Sequence, residues 1–186
     1  MVPAGRLGVV VGRVLLFLMV ISAVSLTGCD REEPGADAGV WAASVCTALD
    51  PWRAEIDALT TRAQSAIGPD TTPGETKAEL VTLLDGAAAA SETARTTVES
   101  APEPAADVEG GADARAAVLG YLAAARDAYA AAGDSMEALD ADAAGFYDQV
   151  ALTMGELNTS YAAGPDLAGV SSVELGEAFA TSDACV

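Results

Sequence analysis

Apolar residues in this chain recur at alternating steps of three and four, the spacing that keeps them on one face of an α-helix. From Val40 onward the series runs Ala42, Val45, Cys46, Leu49, Trp52, Ile56, Leu59, Ala63 and Ile67, and Gly68-Pro69 ends it. Asp50-Pro51 falls inside the series. Asp50 suits a helix cap and Pro51 a first helical turn, so a break or kink is expected there. Thr72-Pro73-Gly74-Glu75 has the form of a capping box, and the helix it opens carries Leu80, Val81, Leu84, Ala87, Ala88, Ala94 and Val98 on one side. Its second half, from Ala87 to Thr97, is made of small residues, which suits close helix approach or an exposed end. Ser100 to Pro104 stops it, and a linker continues to Gly110-Gly111. A third helix then sets Ala114, Val118, Tyr121, Ala125, Ala128, Ala132 and Leu139 in a seam that Leu122, Tyr129 and Met136 widen. A fourth is expected to start at Asp140-Ala141-Asp142, with Phe146, Val150, Met154, Leu157 and Tyr161 on its apolar face. Gly164-Pro165 breaks the chain again. Ser171 and Glu174 suit a second capping box, opening a short helix with Leu175, Ala178 and Phe179. Beyond trivial runs, nothing alternates with the period of two that a strand needs. The predicted fold class is all-α: an up-and-down bundle of four main helices plus a short C-terminal helix.

The N-terminal pattern is different in kind. Arg6 and Arg13 precede an apolar run that ends at Leu26-Thr27-Gly28-Cys29. A basic start, a short apolar core and small residues before a cut site define a secretory signal peptide. A buried core helix at this position would not usually carry that basic flank and small-residue exit. The run from Val14 to Leu26 is also shorter than the roughly 20 residues of a spanning helix. With cysteine directly after Leu-Thr-Gly, the stretch resembles the lipobox signal of bacterial lipoproteins. The resemblance implies that Cys29 takes a diacylglycerol on its sulfur, that residues 1–28 are removed, and that Cys29 becomes the acylated N-terminus. Residues 29–39, polar and rich in Gly and acidic side chains, are expected to be a solvated, lipidated tether, and residues 40–186 the bundle. Ten extended residues reach at most about 35 Å, which keeps the bundle close to the membrane.

Composition narrows the function classes. The full chain has 9 basic and 28 acidic side chains. Removal of residues 1–28 would take away two arginines and no acid, leaving 7 basic residues against 28 acidic ones. Such a surface is repelled by phosphate backbones and by anionic headgroups, so no nucleic-acid partner is expected and membrane attachment falls to the acyl chains on Cys29. Alanine supplies 42 residues. It forms helices readily but buries little area per residue, so the expected core is thin. Apart from Cys29, cysteine occurs at Cys46 and Cys185. Two cysteines in an exported chain read as one disulfide closing nearly the whole domain, with a pair of free thiols as the alternative.

Motifs for catalysis are missing. The chain has no histidine, which removes His-based triads and acid–base pairs. Cys46 and Cys185 are committed to the expected disulfide and not to nucleophilic work. Gly110-Gly111 lacks the Gly-Lys-Ser or spaced glycines of a phosphate loop. A glycosidase needs only two carboxylates, but the acids here fall on the outer faces of amphipathic helices. An EF-hand register starting at Asp140 places Gly145 correctly yet sets Ala144 and Ala151 where ligands belong, so no metal site is expected. No cofactor is expected either.

The lipobox, the early and terminal cysteines and the Ala-rich helices together resemble small helical lipoproteins of actinobacteria. That resemblance implies an address, the extracytoplasmic face of the cell membrane, and no activity. The expected function is therefore non-catalytic: an envelope interaction or structural role served by a lipid-anchored domain, with a protein partner in the envelope. The alternative is a small-ligand or lipid-binding module, in which Trp52, Tyr121, Tyr129 and Phe146 line a gap between Ala-rich helices.

Overall fold

The computed structural model describes residues 35–161 and 172–185; the signal segment, Cys29, Gly164-Pro165 and Ser171 lie outside them. The described chain is all-α. Its helices are α1 (Ala38–Ala66), α2 (Pro73–Ser100), α3 (Gly111–Ala138), α4 (Phe146–Tyr161) and α5 (Val173–Thr181), and a 3-10 turn over Asp183–Cys185 follows α5. Among the described residues the one extended pairing is an isolated parallel bridge between Ala36 and Pro104.

The ends of the helices follow from local chemistry. At α2, the Thr72 hydroxyl accepts from the Glu75 backbone N–H at 3.3 Å while the Glu75 carboxylate accepts from the Thr72 N–H at 2.9 Å. This is the predicted capping box; the Thr72 hydroxyl, donating to the Glu75 carboxylate at 2.7 Å, and then the Thr72 N–H hold that carboxyl below its ordinary pKa. Gly110 precedes α3 with φ 70°, a left-handed conformation that glycine adopts without strain. At the other end of α3, the ammonium of Lys77 donates to the Leu139 carbonyl at 2.7 Å, a cation placed on a helix C-terminus. Asp37 caps α1 by accepting from the Val40 N–H at 2.8 Å, and Ser172, one residue after the expected Ser171, caps α5 through the Leu175 N–H.

Three expectations about boundaries are corrected. First, of the break or kink expected at Asp50-Pro51, the break does not occur: α1 continues as helix through Pro51. The residues on both sides of the proline are clamped by packing, Trp41 and Val45 before it and Leu59 and Ala63 after it, and that burial outweighs the roughly 3 kcal/mol a helix-interior proline costs. Second, α4 starts at Phe146 and not at Asp140. The Asp140 carboxylate accepts from the Asp142 N–H at 3.0 Å, closing a tight Asx turn that competes with a helical start. Third, the fold takes in part of the expected tether. Ala36 exchanges backbone hydrogen bonds with Glu103 and Ala105 at 2.7 and 2.8 Å, and Ala36 and Ala38 are buried. Gly35 lies so close to this loop that an added Cβ would sit 2.6 Å from the Ala105 Cα.

The core consists of two clusters stacked along α1, α2 and α3. One joins the first half of α1 (Trp41, Val45, Ala48), the second half of α2 (Ala94, Val98) and the first half of α3 (Ala114, Val118, Leu122) with Leu175 of α5. The other joins Leu59 of α1, Leu84 and Ala87 of α2 and Ala125, Tyr129, Ala132 and Met136 of α3 with Leu157 of α4. First halves meeting second halves is the mark of antiparallel neighbours. The fourth position of the bundle is thus divided: α4 fills it at one end, against α3, and α5 at the other, against α1. The seam of α3 is turned slightly from the expected one, with Leu122 and Tyr129 buried and Tyr121 only partly so.

Cys46 and Cys185 are disulfide-bonded, with Cα atoms 5.1 Å apart across a separation of 139 residues. The bond pins the C-terminal turn to α1. Phe179 adds an edge-on contact with the fully buried Trp41, ring centroids 5.7 Å apart.

Candidate functional site

Of the four aromatic residues suggested as a ligand-lining set, Trp52 lines the main hollow between α1 and α2, and Tyr121, Tyr129 and Phe146 do not line it. Tyr129 and Phe146 are buried, and Tyr129 packs within the second cluster. Trp52 and Tyr121 meet edge to face, centroids 6.1 Å apart. Trp52 sits where the two clusters meet. Its indole N–H donates to the Ser91 hydroxyl at 3.0 Å, and that hydroxyl donates to the Ala87 carbonyl at 2.8 Å. Ser91 is fully buried, so this chain of bonds satisfies a polar group in the middle of an apolar seam. No local sequence pattern marks Ser91 as Trp52's partner, because the pairing spans 39 positions.

What the small residues of α2 form instead is an open groove along its surface seam with α1. Two hollows of about 560 and 500 Å³ share Thr47, Ala48 and Thr97. The larger is lined by Pro51, Trp52 and Glu55 from α1 and by Gly86, Ala89, Ala90, Thr93 and Ala94 from α2. The smaller continues it toward Val40, Ser44, Ser100 and Ala101. From Val40 to Glu55 is 15 residues of helix, or about 22 Å. Alanine and glycine leave the floor shallow and the helix backbones close to the surface.

Four hydroxyls of this groove present acceptors. The hydroxyls of Ser44, Thr93, Thr97 and Ser100 donate to carbonyls of their own helices at 2.8 to 3.0 Å, which leaves their lone pairs outward. Pro51 has no N–H, so the Thr47 carbonyl lacks the donor that residue i+4 supplies elsewhere in a helix. Glu55, one helical turn beyond Pro51, is the one charged residue lining either hollow.

A second polar feature bridges α2 and α3. The Glu92 carboxylate accepts from both Arg95 (2.8 and 2.9 Å) and Arg126 (2.8 Å). Arg126 also pairs with Asp127 at 2.7 Å and Arg95 with Glu99 at 3.1 Å. Hydrogen bonds from Arg95 first, then Arg126, hold the Glu92 carboxyl down at about 2. The folded protein therefore keeps this carboxylate ionised below the pH at which the unfolded chain takes up a proton, around the ordinary value of 4.5. The linked stability is present above that value and is lost as pH falls through about 2. Glu92→Gln is expected to lower the melting temperature at pH 7 and to flatten its dependence on pH between about 5 and 2, as followed by circular dichroism across that range. An unchanged pH profile would show that the pairs are screened at the surface.

Cys29 lies outside the described residues. No described helix is long and apolar enough to cross a membrane, and among the described residues no three Cys, Asp or Glu side chains converge as a metal site would require. The fold and groove define a disulfide-closed, all-α bundle with an acidic surface. No family model, curated protein or solved structure matches the chain.

Proposed function

We propose that the chain is a lipoprotein held at the extracytoplasmic face of the cell membrane by acyl chains on Cys29, where it displays a non-catalytic helical bundle to a protein partner of the envelope. The observation that carries this reading is the covalent pairing of Cys46 with Cys185 behind a Leu-Thr-Gly-Cys exit. Disulfides persist in oxidising compartments, and the motif supplies both export and anchor. The groove between α1 and α2 supports the interaction role, because it is an apolar surface left open on a bundle that is otherwise strongly acidic.

Cys29→Ala is expected to abolish incorporation of radiolabelled palmitate and to shift the bundle from the membrane pellet to the soluble fraction. A variant that keeps the label, or stays in the pellet after signal removal, overturns the anchor. Chemical crosslinking in intact cells tests the partner, and the reading fails if no specific protein couples to the bundle.

The groove volume also favours a second reading, a small-ligand or lipid-binding lipoprotein, since 560 Å³ falls within the range of ligand pockets. Native mass spectrometry of the purified lipoprotein separates the two, because a cargo adds a discrete mass beyond that of the anchor.

A further inference from the structure

The chemistry of the α1–α2 groove restricts what fits it. Its floor is apolar and small-sided, its length is about four helical turns, and the hydroxyls of Ser44, Thr93, Thr97 and Ser100 donate within their own helices. The one charged group lining it is the Glu55 carboxylate, one helical turn beyond Pro51. An acyl chain would cover the floor but leave this carboxylate without a cation. An acidic segment would be repelled by Glu55 and by the surrounding excess of carboxylates.

We infer that the groove docks an amphipathic helix of a partner protein, with small apolar residues on its inner face and a lysine or arginine directed at Glu55. Alanine and glycine on the α2 side allow the incoming helix to approach at the 8–10 Å interaxial distance of packed helices, and apolar anchors at i, i+3, i+4 and i+7 are the usual means of such binding. The cation pairs with the one charged group lining the groove, and long-range attraction to the acidic bundle speeds the encounter. The inference rests on the bundle being an interaction module. It names the partner's chemistry, not the partner.

The test uses the full lipoprotein in phosphatidylcholine nanodiscs, with alanine methyl groups isotopically labelled. The probes are 16-residue helical peptides with an Ala/Leu face and one lysine, the lysine being moved through one helical turn across the panel, together with twins carrying glutamate in its place. At least one lysine peptide is expected to bind saturably and to shift the Ala48, Ala90 and Ala94 methyl signals, while its glutamate twin does not. Glu55→Gln is expected to weaken binding about threefold and Glu55→Lys about tenfold, as the loss and then the reversal of one exposed ion pair. Thr93→Trp, on an exposed groove position, is expected to block binding with unchanged circular dichroism; if that variant unfolds, the Glu55 series still decides.

The inference is overturned if no lysine register saturates, or if lysine and glutamate peptides bind alike. It is also overturned if palmitate shifts the same methyl signals where the peptides do not, or if the groove proves to hold a second copy, seen as a dimer that Thr93→Trp dissociates. None of these outcomes alters palmitate labelling or membrane partition, so failure here is distinguishable from failure of the anchor.

Discussion

Replacing Cys46 and Cys185 together by serine is expected to lower the free energy of unfolding by about 5 kcal/mol, the loop-closure value for a ring of this length and an upper figure for it. The bond joins residues 139 positions apart, so in the unfolded chain it removes more conformational freedom than a short loop would. The native state also depends on it locally. Helix α5 has nine residues and buries one of them well, Leu175, so without its covalent link it has little to hold it on α1 beyond that residue, Phe179 and Ala178. Urea unfolding of oxidised, reduced and doubly substituted protein, followed by circular dichroism, measures the difference. A reduced protein as stable as the oxidised one would place the stabilisation entirely in the packing of α1, α2 and α3. Amide hydrogen exchange should then show α5 opening first, because it buries one residue well.

Trp41→Ala is the second large effect, expected at about 3–5 kcal/mol. The ring is fully buried, sits in the cluster that joins α1, α2, α3 and α5, and in an alanine-rich bundle few neighbours are large enough to collapse into the space it leaves. Its indole N–H finds no hydrogen-bond partner among the described residues despite its burial. This makes Trp41→Phe informative. Phenylalanine keeps most of the ring contact with Phe179 and removes a buried donor whose isolation carries a cost of about 1–3 kcal/mol, so its net effect should be a small fraction of that of alanine. Chemical denaturation of both variants checks the ordering. Equal losses would mean that the indole N–H is satisfied in solution, by water, and that the shape of the bicyclic ring matters more than its polarity.

Much of this fold is legible in the sequence because helices are local. The Thr72 capping box, the proline at the start of α2, the glycines before α3 and the step of three and four along α3 all speak within a single turn or two, and the structure places helices there. The cysteine pairing was legible by elimination once Cys29 was set aside. What was not legible is long-range. Pro51 reads locally as a break, but it is overridden by burial on both sides, and no window of sequence around it contains Trp41 and Leu59 as packed residues. Ala36 gives no sign that it will pair with Glu103 and Ala105, and Ser91 none that it will receive Trp52. The start of α4 is hidden for a subtler reason. Aspartate serves equally as a helix cap and as an Asx-turn former, and only the geometry around Asp142 separates the two. The groove followed the same rule: the small residues from Ala87 to Thr97 announced either close approach or exposure, and they provide both, Ala87 and Ala94 facing the core while Ala89 and Thr93 line the open seam.

The position of the disulfide has a mechanical meaning. Tension applied between the N-terminal side of Ala36 and the last residues of the chain passes from Cys46 to Cys185 through a covalent bond, and the polypeptide between them carries no load. Only the segment from Ala36 to Cys46, mostly helix, can be drawn out, a gain of about 20 Å at full extension. Before that happens, the force must shear the backbone pairing of Ala36 with the 103–105 loop and withdraw Trp41 from its cluster. Single-molecule pulling on the oxidised protein should therefore yield one short step and then a rigid stop, with the long release of the three main helices appearing only after a reductant is added.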